Sequence, residues 1–256
     1  MTAAFPVPEP PPREPLRWRR AWRALRALLA DPDDTEKAVE LTYAIGRDDF
    51  ERSFQRLRAS PFGPRLLAGR PSLADALSDR AALERMSAES LGRAYLEYLD
   101  RNGFAATGLL AVEQRVRARW EREGEAVPVD PLRAWYRDRV ILSHDLFHVL
   151  TGYGTDDVGE ATLLAFSLAQ LGGRANALLT AGAAFEVWRR RGLGWLRYAF
   201  RAWRRGRRAA PLAALPWEEL LPLRLATVRE LAAVRASEVA HPGGIWSGRA
   251  RAQAGC

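Results

Sequence analysis

Cysteine is nearly missing from this sequence: there is one in 256 residues, and it is the last, Cys256. A single thiol forms neither a disulfide framework nor a thiolate zinc site, and is compatible with a reducing compartment. Lysine is also reduced to one, Lys37, so the net charge of +8 and the pI near 10.4 rest on arginine. That bias reflects coding composition as much as a polyanionic partner. No zinc-finger spacing, aromatic RNP-like strand or Walker glycine loop accompanies it, and no nucleic-acid partner is expected. Gln170, Arg174 and Asn176 interrupt the segment that could otherwise pass for a membrane span. Residues 1–15 are proline-rich without an apolar signal core, so they read as a disordered tail and not as a secretory leader. Isoleucine and valine are sparse while Ala, Leu, Arg and Glu dominate, which argues for an all-α fold.

With 48% hydrophobic residues, the chain is long enough for one sizeable core. The expectation is a single-domain helical bundle over residues 16–240, followed by a mobile tail over residues 241–256.

Only three histidines occur, and two lie close together in Val140-Ile141-Leu142-Ser143-His144-Asp145-Leu146-Phe147-His148-Val149-Leu150. A helix this apolar all round belongs at the centre of a fold. His144, His148 and Asp145 fall at roughly 0°, 40° and 100° about its axis, which crowds them on one side. Unpaired buried polar groups cost roughly 1–3 kcal/mol each, so the three need partners. A metal would satisfy them, because imidazoles at i and i+4 can converge on one cation. Thr151-Gly152-Tyr153-Gly154 ends the helix, and Asp156 or Asp157 caps the next. Antiparallel return then carries Glu160 back to the level of the histidines.

The same residues admit a second reading. A helical His pair facing an acid can be a hydrogen-bonded core cluster, and Asp157 with Glu160 has the spacing of a capping box. Peptidase chemistry is disfavoured, because Asp145 replaces the longer acid of His-Glu-x-x-His. HD-type phosphohydrolases need another upstream histidine, and the third here, His241, lies near the C-terminus and reads as a helix-end residue.

His144-Asp145-Leu146-Phe147-His148, eleven residues and then Glu160 resemble the HDxxH-x11-E signature of the coenzyme Q (ubiquinone) biosynthesis protein 4 family. Gly159-Glu160-Ala161, Gln170 and Gly172 resemble the family's stretch after that signature. Leu91-Gly92-Arg93-Ala94-Tyr95 resembles its upstream LG-x-x-Y segment, and Phe62-Gly63-Pro64-Arg65-Leu66-Leu67 with Arg70-Pro71 is a further likeness. Trp203, Gly206, Leu212, Trp217-Glu218-Glu219 and Leu231 resemble the family's C-terminal region, so the likeness covers roughly residues 20 to 235. Two departures stand out: Ile141 occupies a place where the family often has a basic residue, and Arg115 to Glu125 replaces its acidic loop.

The resemblance implies ubiquinone biosynthesis, with oxidative decarboxylation at ring C1 of a polyprenylated hydroxybenzoate. The alternative it carries is a non-catalytic lipid-binding scaffold that organises the biosynthetic complex at the membrane. It implies a divalent metal, zinc, on His144, His148 and Glu160. Asp145 either completes the shell or orients a ring or water from behind it, and is the candidate catalytic residue. Two imidazoles and a carboxylate also suit non-haem iron. A homodimer, peripheral on the cytoplasmic face of a membrane and in contact with other quinone-biosynthesis enzymes, completes the expectation.

Elsewhere, Arg17 to Ala30 is a basic amphipathic helix with Trp18, Trp22, Leu25 and Leu29 at helical spacing, read as either interfacial or packed. Asp31 to Thr35 breaks and re-caps the chain. Helices are expected from Glu36 to Ala44 and from Asp48 to Arg58, and Pro61 to Pro71 reads as a loop. Two helices lie between Ser72 and Leu99, and a charged one runs from Val112 to Glu123. Ala161 to Leu171 and Ala175 to Trp188 are apolar helices whose small side chains suit either an elongated groove for a prenyl chain or tight packing. Trp188 to Arg208 reads as one helix with Phe185, Trp188, Gly192, Leu196, Ala199 and Trp203 on its apolar side and a basic face that is either solvated or against anionic lipid. A last helix is expected from Trp217 to near Ala240.

Overall fold

Helix-forming composition and capped breaks produce an all-helical molecule. The computed structural model describes residues 16–31, 34–126 and 128–240, with the side chains of Arg47 and Asp48 outside the description. The proline-rich stretch 1–15 and the C-terminal stretch 241–256, His241 included, lie outside the described residues.

The helices are α1 (Trp18–Ala30), α2 (Thr35–Ile45), α3 (Arg47–Ala59), α4 (Gly63–Gly69), α5 (Leu73–Ser78), α6 (Arg80–Arg85), α7 (Leu91–Asn102), α8 (Gly108–Arg122), α9 (Pro131–Thr151), α10 (Asp157–Leu171), α11 (Arg174–Arg191), α12 (Gly194–Arg208), α13 (Trp217–Leu220), α14 (Leu225–Leu231) and α15 (Ser237–Ala240). No described residue is in a strand; Ser90 and Arg224 form one isolated bridge.

The longest helix, α9, is specified at both ends. Asp130 accepts hydrogen bonds from the Leu132 and Arg133 amides, Pro131 supplies the fixed φ of a first turn, and Gly152 closes the helix in the left-handed region at φ 73. Leu132 and Tyr136, near its start, pack with Phe54, Leu57, Leu66 and Leu67 of α3 and α4. Its second half carries Leu146, Phe147 and Leu150 into the largest core, against α7, α10, α12 and the C-terminal segments. A third apolar cluster joins α1, α2, α8 and α11.

Close backbone approach fixes α10. At Gly206 a Cβ would meet the Phe166 carbonyl oxygen at 2.4 Å, so only glycine lets α12 lie this near. At Gly159 it would meet the Gly154 carbonyl oxygen at 2.1 Å, which pins the turn between α9 and α10.

Four expectations change. Residues Pro61 to Pro71 are not all loop: Pro64 in the first turn allows α4, which ends at a left-handed Arg70. The Ser72–Leu99 stretch holds three helices, because Asp79 caps anew and splits α5 from α6. The C-terminal helix is broken into α13, α14 and α15, around Pro222 and a left-handed Ala233 at φ 52. Trp188 to Arg208 is not one helix either. Gly192, at φ 79, separates α11 from α12 and resets the phase, so Trp195, Tyr198, Ala199, Ala202 and Gly206 turn inward. Phe185, Trp188 and Leu196, expected on the apolar side, are exposed instead, as is Phe200. Along α1, likewise, Ala21, Ala24 and Leu25 are buried while Trp18 and Trp22 face outward.

Candidate metal centre and its cavity

The connection between α9 and α10 brings the acid to the histidines. The Asp156 carboxylate accepts from the Val158 and Gly159 amides, so Asp156 is the cap and Asp157 is not. Glu160 is thereby released from a capping-box role. Its Oε1 lies 3.1 Å from His148 Nε2, and its Oε2 lies 3.8 Å from His144 Nε2. One ligand atom from each of the three residues lies within 4.8 Å of the others.

Each ring is aimed from behind. His148 is buried, and its Nδ1 lies 3.1 Å from the Tyr153 carbonyl oxygen, which can only accept, so Nδ1 carries the proton. Its Nε2 faces Glu160 from the interior without a well-formed hydrogen bond, and offers a free lone pair whenever the ring is neutral. His144 Nδ1 is 3.5 Å from Asp145 Oδ1. Tyr98 stacks on His148 with ring centroids 5.6 Å apart and planes at 21°, and the two imidazoles meet edge to face at 4.9 Å.

Burial alone would raise the Glu160 carboxyl, yet the neighbouring imidazoles, His148 first, hold it below the ordinary range. Burial would lower His144, but Asp145 and Glu160 outweigh it and hold the ring above its usual value. Each group therefore favours its charged form, which is the signature of mutually compensating charges in a confined space. Burial and then the Asp145 charge push the Tyr98 phenol up.

A divalent ion fits this donor set. Bonds of about 2.0–2.2 Å in a tetrahedral shell place ligand atoms about 3.3–3.6 Å apart, and the two His–Glu separations, each to its own carboxylate oxygen, bracket that range. The orphaned Nε2 of His148 would gain a partner, and both Nδ1 atoms already have the outer partners that metal-bound imidazoles use. Asp145 is not part of the converging group, since adjacent helix positions do not share a direction.

The centre opens on a cavity of about 1450 Å³. His144, Asp145, Glu160 and Tyr98 line one part, and much of the remainder is apolar, including Leu25, Leu29, Val39, Leu164 and Leu179. The apolar helices α10 and α11 thus border a space and are not packed shut. Sequence reading did not single out Tyr98, although it lies three residues beyond the noted Tyr95 and on the same helix side. Nor did it find Arg137, Glu113 and Tyr43, polar residues of the cavity wall contributed by three helices.

The sequence model described as Coenzyme Q (ubiquinone) biosynthesis protein Coq4 matches residues 19–237. A Yarrowia lipolytica protein named ubiquinone biosynthesis protein COQ4, mitochondrial, is 29% identical over 174 residues, covering 65% of this chain and 59% of that one. The COQ4 homologues of Anopheles gambiae and Drosophila ananassae, also named as mitochondrial, are 25% and 26% identical over 75% and 79% of this chain, and 64% and 72% of theirs. The chain therefore spans roughly three fifths of the first two relatives' lengths. A crystal structure from Nostoc punctiforme PCC 73102 superposes with a TM-score of 0.58 at 18% identity, over 85% of this chain and 98% of the other, a likeness of fold alone.

Proposed function

This chain belongs to the coenzyme Q (ubiquinone) biosynthesis protein Coq4 family, and from that premise we propose that it carries out a metal-dependent oxidative decarboxylation of a polyprenylated hydroxybenzoate. The ring C1 carboxylate leaves as carbon dioxide and a hydroxyl takes its place, a two-electron oxidation of the ring in which dioxygen is reduced to hydrogen peroxide and water supplies the balancing oxygen and protons. The observation that supports this reading is the setting of a His144–His148–Glu160 triad in the wall of a large, mostly apolar cavity.

The triad would hold a divalent ion, zinc by resemblance to the family, with iron the other metal suited to two imidazoles and a carboxylate. Bound there, the ion would supply Lewis-acid charge to the acidic oxygen of the substrate that reaches the triad. The chain's own residues do the rest. Asp145 keeps the His144 ring turned with Nε2 forward, the Tyr153 carbonyl does the same for His148, and Tyr98 walls one side of the ring site. Apolar residues from α1, α2, α10 and α11 receive the prenyl chain and exclude water.

Delivery of such a lipid needs a membrane-facing surface. Exposed Phe185, Trp188, Leu193, Leu196 and Phe200 stand among the arginines of α11 and α12, a composition suited to the headgroup region. No described helix is long and apolar enough to cross a membrane, in keeping with peripheral attachment in this reading. A homodimer and contacts with other quinone-biosynthesis enzymes complete it.

The deciding experiment incubates the purified chain with a prenylated hydroxybenzoate in air and measures carbon dioxide and the hydroxylated ring product. Turnover that disappears in His148→Ala is expected, together with about one metal ion per chain by elemental analysis. Tight lipid binding without turnover would assign the protein to the scaffold reading.

A further inference from the structure

Two turns before His144, on the same side of α9, Arg137 borders the cavity. Seven residues of helix separate the two, about 10.5 Å along the axis. Between them the wall is apolar, formed by Val140 and Ile141. Arg137 Nε lies 3.1 Å from Oε1 of Glu113, which is 1% exposed, and 3.8 Å from Asp138 Oδ1. The Tyr43 hydroxyl donates to the same Glu113 oxygen.

Glu113 thus holds the guanidinium by an ion pair at its inner nitrogen, without a well-formed hydrogen bond there. The two terminal nitrogens donate no hydrogen bond to any described residue. Of the neighbouring charges, Arg117 lies 3.7 Å from Glu121, and Asp138 faces the inner nitrogen of Arg137. What the cluster offers to the cavity is a planar fork of donors, a shape matched by carboxylate and phosphate oxygens.

We propose that Arg137 is the recognition site for an oxyanion at the end of the ligand remote from the His144–His148–Glu160 triad, with Glu113 and Tyr43 as its positioning residues. The inference rests on the cavity being the substrate pocket. A single substituted ring, with a metal–oxygen bond of about 2 Å at one end and a hydrogen bond of about 3 Å at the other, spans a gap of this order. A hydroxybenzoate placed this way keeps its phenol at the triad and its carboxylate at Arg137. The same fork would also take the phosphate of a prenyl phosphate.

Equilibrium binding to the full chain separates these cases. The probes are 4-hydroxy-3-prenylbenzoate, its carboxylate-free counterpart 2-prenylphenol, and geranyl monophosphate. The benzoate is expected to bind at least roughly tenfold tighter than the phenol, as a charge-assisted hydrogen bond predicts. Arg137→Met should erase that preference while leaving metal content unchanged, and Arg137→Lys should restore part of it. Tyr43→Phe, which keeps the arginine, should give an intermediate preference. Geranyl monophosphate binding tighter than the benzoate, and only when Arg137 is present, would identify the oxyanion as phosphate. A wild-type preference retained in Arg137→Met overturns the proposal alone. Should no probe bind the wild-type chain, the pocket reading falls and the proposal with it. If Arg137→Met does not fold, the Lys variant and displacement of the benzoate from wild type by inorganic phosphate decide; no displacement and an unchanged Lys variant overturn the proposal.

Discussion

At the residue scale, the centre divides its labour between atoms that converge and atoms that hold them. His148→Ala or Glu160→Gln removes a converging atom, and metal content should fall well below one ion per chain by elemental analysis. Asp145→Asn should keep the ion but weaken affinity by roughly 10- to 100-fold in a chelator competition, the usual loss for an outer partner. Were Asp145 a direct ligand, the asparagine variant would lose the ion outright. A different group of charges governs acid stability. Arg133, almost fully buried, bonds to Glu51 and Asp130. The Arg133 hydrogen bond lowers the Glu51 carboxyl, and for Asp130 the bonds to Arg133 overcome an opposing effect of burial. Folded values below the unfolded ones mean that this stability is present above about pH 4.5 and disappears as pH falls through the folded values. Arg133→Met should cost roughly 3 kcal/mol at pH 7 in urea unfolding, with the difference from wild type shrinking below about pH 4.

At the element scale, α10 is held by α12 through backbone contact at Gly206. Gly206→Val would drive a side chain into the Phe166 carbonyl and Ala169, and a loss of roughly 1–3 kcal/mol is expected in the same unfolding assay. Because α10 also carries Glu160, metal affinity should weaken in parallel. The outer side of α11 and α12 is a separate matter, since its aromatics are not part of the core. Replacing Trp188 and Phe200 by serine should leave stability within about 0.5 kcal/mol while reducing sedimentation with anionic vesicles severalfold. Equal sedimentation of variant and parent would remove this surface from the membrane reading.

At the scale of the whole molecule, the cavity is a consequence of how separate apolar clusters meet, with α9 contributing to two and facing the third across open space. Ala183, on the cavity side of α11, is a place to shorten that space from within. Ala183→Phe should lower affinity for long-chain prenylated benzoates more than for short-chain ones, measured as the ratio of the two dissociation constants. A uniform loss across chain lengths would mean that the prenyl tail lies elsewhere.

The chain's own order of residues determined the helical class, the glycine turn that ends α9, and the presence of two imidazoles and an acid within one helical hairpin. Those features are local, set by periodicity, by Asp and Gly at helix ends, and by a short turn that forces antiparallel return. The phase of the α11–α12 pair was not legible, because one left-handed glycine at 192 rotates every later position and exchanges which aromatics are buried. Nor was the choice between capping box and ligand set, which turned on Asp156 taking both amides and freeing Glu160. Only the tertiary structure could assemble Tyr98, Tyr43, Glu113 and Arg137 around the same space, since they come from four helices and no spacing along the chain encodes their meeting. A cavity is a relation between surfaces, and it exists only once those surfaces have packed.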